Sequence, residues 1–142
     1  MSRADSMQLL RVQVLTEAPI PIVVAAGEVD VLSVPLLDEA LRQALAGDPA
    51  TIAVDLTRVV FLDSSGLAVL ARSARACPQP PRVVPSPQAR RPIETTGMTV
   101  MLRLFDTLAQ ALAVSVDEGL EPDEKDESVR QPDAGRSRRD VR

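Results

Sequence analysis

The sequence predicts an α/β domain with helices packed against a mixed sheet. Apolar residues recur at period two in some segments and near period 3.6 in others. The two kinds alternate along the chain, and the links between them are short. Apolar residues make up 45% of the 142, enough for one core. Phe61 and Phe105 are the only aromatic residues, so that core must be built from Leu, Val, Ile and Ala. No internal repeat is visible.

The first element is a half-buried strand from Gln8 to Thr16, where Leu10, Val12 and Val14 alternate with Arg11 and Gln13. Ile20 to Ala25 is a second, more fully apolar strand. Glu17-Ala18-Pro19 fits a tight antiparallel connection between them, and Gly27-Glu28-Val29-Asp30 is expected to break the run. Ser33 then reads as an N-cap, with Pro35 in the first turn and Asp38 and Glu39 soon after. Leu37, Ala40, Leu41, Ala44 and Leu45 share one face of that helix, which Gly47 and Pro49 end. Thr51 to Leu56 is expected to be a short central strand. A link through Arg58 follows, and then Val59 to Leu62 run into the turn Asp63-Ser64-Ser65-Gly66.

A second helix opens at that turn, with Leu67, Leu70, Ala71 and Ala74 on one face, and Pro78, Pro80 and Pro81 stop it. Arg82-Val83-Val84 is a short strand. Ser86 and Pro87 open a third helix that Gly97 closes. Val100 to Leu104 reads as a last short strand, and Asp106 as the cap of a final helix carrying Leu108, Ala109 and Leu112. From Asp117 onward 15 of 26 residues are charged and only three are Leu or Val, too few apolar groups to offset the entropy of ordering the segment. The expected organisation is a flexible N-terminus over 1–7, a folded domain over 8–116 and a disordered charged tail over 117–142.

Composition also excludes several functions. The formal net charge is −4, and no basic stripe precedes the last seven residues, which argues against binding a phosphate backbone. The scarcity of aromatics leaves almost nothing for bases to stack on. Cys77 is the single cysteine, so no intrachain disulfide can form and a reducing compartment is expected. There is no histidine, which removes the usual general base, the Ser-His-Asp triad and nearly every zinc-enzyme site. No apolar run reaches the roughly 18 to 20 residues of a membrane span, and the N-terminus has no signal-peptide core. A cytoplasmic protein without cofactor, nucleic acid or membrane partner is the expectation.

The polar groups worth attention sit where strands end and helices begin, the usual place for sites in α/β sheets. Asp30 follows the second strand, Asp55 ends the third, and Asp63 precedes Ser64, Ser65 and Gly66. Free amide groups and the helix dipole favour an anion at such a helix start. A phosphate placed there adds about −1.5 to −2 charge at pH 7. Beside Asp63, and near Asp30 and Asp55 if the fold gathers them, it would repel them and desolvate badly in an interface. Gly66 removes a side chain where a partner would approach the backbone. The plain alternative is that Asp-Ser-Ser is an ordinary helix cap and the aspartates are turn and strand-end residues.

Taken in order, Gly27-Glu28-Val29-Asp30, a capped helix, Val54-Asp55-Leu56, and Phe61-Leu62-Asp63-Ser64-Ser65-Gly66-Leu67 resemble the STAS family. More narrowly they are similar to bacterial anti-sigma-factor antagonists. Pro85-Ser86-Pro87 followed by Thr96-Gly97-Met98 resembles a third segment of that family, and the likeness spans roughly residues 8–115. The resemblance implies the STAS fold, a mixed sheet of four to five strands against about four helices, and no catalysis by this chain. It implies phosphorylation at Ser64, the first serine of the turn, by an anti-sigma factor that is itself a GHKL-type serine kinase. The unphosphorylated form would bind that factor and free the sigma factor, and a PP2C-type phosphatase would restore binding. Asp30, Asp55, Asp63, Ser64, Ser65 and Gly66 would form the partner-binding site, with Asp30 and Asp55 flanking the acceptor. ATP and Mg²⁺ would belong to the kinase, and a monomer is the default.

Two departures from the family pattern stand out. Cys77-Pro78-Gln79-Pro80-Pro81 replaces a Gly-rich turn, and Pro92 falls inside the third helix. A second reading is a STAS scaffold, or an accessory subunit of a stress or lipid-transport complex, without a phospho-switch. A third, with Ser64 or Ser65 as an enzymatic nucleophile, lacks any histidine base, and the only lysine is Lys125.

Overall fold

The structure, a computed structural model, describes residues 10–116, so the expected flexible N-terminus and charged tail lie outside the described residues. The chain divides into two units between Leu112 and Ala113, and the fold below is that of the first. Strand β1 (Leu10–Leu15) pairs antiparallel with β2 (Ile22–Val29), Leu10 opposite Gly27 and Leu15 opposite Ile22. Helix α1 (Val34–Leu45) crosses to β3 (Ala53–Leu62), α2 (Ser64–Arg75) to β4 (Arg82–Pro85), and α3 (Pro87–Thr95) to β5 (Arg103–Leu104). A short 3-10 turn (Met98–Val100) precedes β5, and α4 (Leu108–Ala113) follows it. The five strands lie in chain order, and every pair after the first is parallel.

That order decides where the helices go. Each parallel crossover steps in the same direction, and crossovers share one hand, so α1, α2 and α3 stack on one face. Leu37 and Leu41 of α1, Leu70 of α2 and Ile93 of α3 accordingly share a single core with Val23, Val54, Leu56 and Val83. Neighbours along a strand point to opposite faces. Arg82, next to the core residue Val83, therefore lies on the other face, where it donates from Nη1 to the Ala111 carbonyl of α4 at 2.9 Å.

The mixed sheet with helices against it matches the expectation, while several boundaries differ. β2 does not break at Gly27 but runs to Val29. Gly27 takes φ 119°, and the pairing with β3 slips just after it. The two apolar runs before and after Arg58 are one strand, β3, with an extra residue at each of two bulges. The core positions Val54, Leu56, Val59 and Leu62 are therefore unevenly spaced, which made one strand look like two. Ser33 has no side-chain capping bond, because its hydroxyl serves the preceding loop instead. Val100 to Leu104 is mostly the 3-10 turn and a bend, with only Arg103 and Leu104 in the sheet. Thr107 Oγ1, not Asp106, accepts from the α4 amide of Gln110, while Asp106 pairs with Arg90.

Candidate functional site

β2 and β3 are parallel neighbours, so their carboxyl ends lie side by side at one edge of the sheet. Val29 is in register with Leu62, and the Asp63 amide donates to the Val29 carbonyl at 3.1 Å. Asp30 and Asp63, each one residue further along, are therefore adjacent. The loop from Asp30 to Ser33 and the first turn of α2 flank each other at this edge.

Asp63 caps α2. Its Oδ1 accepts the amide of Ser65 at 2.9 Å and of Gly66 at 3.3 Å, and the Ser65 hydroxyl at 2.5 Å. The Ser65 hydroxyl does most to hold its carboxyl below the usual carboxylate range, partial burial opposes this, and the two amides add to the lowering. Asp63 is therefore a fixed negative charge at neutral pH. The Leu67 amide goes to the Asp63 carbonyl, so three of the first amides of α2 are already taken by Asp63. An anion brought to this helix start does not find the free donors that the sequence suggests.

The two serines differ sharply. Ser65 is half-buried and its hydroxyl is committed to Asp63. Ser64 is exposed, and its hydroxyl makes no hydrogen bond among the described residues. Gly66 is buried and faces inward. A Cβ there would collide with Leu62 Cδ1 and lie 2.7 Å from Val29 Cγ1. Its role is to seat α2 on the ends of β2 and β3, which corrects the expectation that it clears space for a partner.

Asp30 shapes its own loop. Its Oδ1 accepts the amides of Leu32 at 3.1 Å and Ser33 at 3.0 Å, and its carbonyl accepts those of Ser33 and Val34. Ser33 closes the loop, its hydroxyl accepting from the Asp30 amide at 3.0 Å and donating to the Glu28 carbonyl at 2.7 Å. Asp55 is not part of this edge. It pairs with Val24 and Val84 within β3, and by the register with β2 it lies six β2 residues back from the Asp30–Asp63 end, roughly 20 Å along an extended strand. Its Oδ1 accepts the Thr57 amide at 3.0 Å and hydroxyl at 2.7 Å, which holds a bulge of β3. The expectation that Asp55 flanks the serine is corrected on that ground.

Two residues the sequence reading passed over stand beside the site. Val31 and Leu32 are 70% and 87% exposed in the Asp30–Ser33 loop. The signal was present, since two large apolar residues there belong to neither flanking periodic face. No cluster of three or more potential metal ligands exists among the described residues. Burial pushes the Cys77 thiol up, which disfavours the reactive thiolate. No helix among the described residues is long and apolar enough to cross a membrane.

The family model described as the Mlab, STAS domain matches residues 12–108, more than half of the chain. The anti-sigma-F factor antagonist RsfB of Mycobacterium tuberculosis is 33% identical over 115 residues, 79% of this chain and 92% of that protein. An anti-sigma factor antagonist from Mycobacterium paratuberculosis superposes with a TM-score of 0.68 at 32% identity, covering 73% of this chain and 92% of that one. The antagonist SpoIIAA shares the fold in its unphosphorylated form, at TM-score 0.57 and 20% identity over 72% of this chain and 93% of that one. The phosphorylated form of SpoIIAA from Bacillus does so at 0.54 and 21%, over 72% and 97%.

Proposed function

The chain belongs to the STAS domain family, and from that premise we propose that it acts as an anti-sigma-factor antagonist switched at Ser64. The unmodified chain binds an anti-sigma factor of the GHKL serine-kinase type through the edge that carries Asp30 and Ser64, and the sigma factor is freed. The Ser64 hydroxyl attacks the γ-phosphorus of ATP held by that kinase, ADP leaves, and the hydroxyl proton passes to a base of the kinase. Phosphorylation ends binding, and a PP2C-type phosphatase restores it by hydrolysis. In this reading the chain is a cytoplasmic monomer that catalyses nothing and needs no cofactor of its own. The antagonist name shared by its relatives favours this over a scaffold or transport subunit.

The observation that carries the reading is the division of labour between the serines. Ser64 offers an exposed hydroxyl that makes no hydrogen bond among the described residues, whereas Ser65 is locked onto Asp63. The consequence of modification follows from the cap. A phosphate on Ser64 adds about −1.5 to −2 charge at pH 7 next to the ionised Asp63, which already holds the neighbouring amides. The new charge stays at the surface and repels or desolvates in any docked interface. That the phosphorylated and unphosphorylated SpoIIAA both share this fold supports a switch of surface charge rather than of fold.

The test is phosphorylation by the cognate anti-sigma kinase with ATP and Mg²⁺, followed by site mapping with mass spectrometry. The expected result is one phosphate on Ser64, none on Ser64→Ala, and continued modification of Ser65→Ala. Phosphate mapping to Ser65, or none on the wild-type chain, contradicts the proposal.

A further inference from the structure

We propose that Val31 and Leu32 form a preformed apolar knob that anchors the anti-sigma factor beside Ser64, and that Asp30 is the positioning residue that holds the knob in shape. The inference rests on the antagonist reading and adds to it where affinity comes from. Two large aliphatic side chains at 70% and 87% exposure are the reverse of what folding rewards. A floppy loop would at least let them collapse onto the protein. Here the backbone prevents it, because both amides after Val31 are bonded to Asp30 Oδ1 and the Ser33 hydroxyl ties Asp30 to Glu28. The ordering that a partner would otherwise impose on the loop is already complete.

Position and charge identify the occupant. The root of the loop is bonded to the root of the switch turn through Val29 and Asp63, so a kinase site over Ser64 also covers the knob. Glu28 and Asp30 lie just before it in the chain, Asp63 is bonded to the root of its loop, and none of the three forms an ion pair among the described residues. The partner surface that fits is an apolar pocket rimmed by Lys or Arg, on the anti-sigma factor itself. The Asp30 carboxylate spends its Oδ1 on the loop, so its first task is shape and not a charge contact.

The test measures Kd for the purified cognate anti-sigma factor with the full chain and its variants by titration calorimetry. Leu32→Ser and Val31→Ser are each expected to weaken binding at least about tenfold, with unchanged Tm because both side chains are solvent-exposed. Phosphorylation of Leu32→Ser should show a raised KM with kcat near that of the wild type. Asp30→Asn keeps the oxygen acceptor and should bind within about threefold of wild type, whereas Asp30→Ala should lose about tenfold. Val100→Ser, 86% exposed at the opposite edge near the start of β5, should leave Kd unchanged. Wild-type affinity in both knob variants overturns the proposal while leaving the antagonist reading intact. Failure of the wild-type chain to bind overturns both. Equal losses in Asp30→Asn and Asp30→Ala overturn the positioning role and make Asp30 a charge contact. Self-association in sedimentation that Leu32→Ser abolishes makes the knob a contact between copies of this chain and also overturns the proposal.

Discussion

A carboxylate in the N-cap position takes the amide hydrogens nearest to it, and in α2 it also takes the hydroxyl hydrogen of Ser65. The residue before Ser65 is left exposed, with its hydroxyl unbonded among the described residues. Asp63→Ala should therefore destabilise the fold by about 1 kcal/mol, read from urea unfolding. Ser64→Ala should stay within about 0.5 kcal/mol of wild type, since it removes no internal bond. A larger loss for Ser64→Ala would mean that its hydroxyl is structural. The capping chemistry at Asp63 was legible in the sequence because Asp-Ser-Ser before an apolar run encodes it locally. Asp55 was not, because its distance from the turn depends on whether β3 continues through Thr57 and Arg58. That continuation rests on a bulge closed by the Asp55 side chain itself, which no periodicity displays.

Elements here are seated by close contacts at their ends. α2 approaches β2 and β3 only because residue 66 has no Cβ. Leu62 and Val29 fill the space, and Val29 is fully buried and β-branched, with little freedom to yield. Gly66→Ala should cost about 1–3 kcal/mol in denaturant unfolding, and a neutral result would show that the helix shifts freely. Pro92 is the opposite case. It sits inside α3 without an amide to donate, so Pro92→Ala should raise stability by about 1 kcal/mol or more if the helix is otherwise regular. Helices α1, α2 and α3 were readable from periodicity because each buries one face in the same core. The start of α1 at Ser33 was read correctly, but not the fate of its hydroxyl, which is drawn away from capping by Asp30 and Glu28, a loop interaction with no linear signature.

Across the whole molecule, the order of the strands brings one acidic, partly apolar edge together, and a charged bridge ties two of the helices beneath it. Asp38 of α1 bonds Arg42 at 3.0 Å and Arg72 of α2 at 2.8 Å. Burial raises its pKa, but the bonds from Arg72 and Arg42 outweigh that and hold the carboxyl below its usual range. Asp38 and Asp63 are both depressed in the folded state. Their contribution is fully present above the unfolded carboxylate value of about 3.9 and is lost as pH falls through the folded values. Without histidine to titrate, thermal stability should be nearly flat from pH 6 to 8 and should fall in acid below about pH 4. A steep change near neutrality would contradict that assignment. The mixed sheet with helices against it was expected from short links and alternation. The placing of Asp30 beside Asp63, at the root of the serine turn, was not derivable until β2 and β3 were known to be parallel neighbours.

The most direct measurement is the affinity of one anti-sigma factor for this chain unmodified and carrying phosphate on Ser64, compared by calorimetry at the same ionic strength. The account predicts tight binding of the unmodified chain and a loss of at least about a hundredfold on phosphorylation, with the circular dichroism of the two forms superimposable. Equal affinities, or a loss accompanied by unfolding of α2, would contradict it.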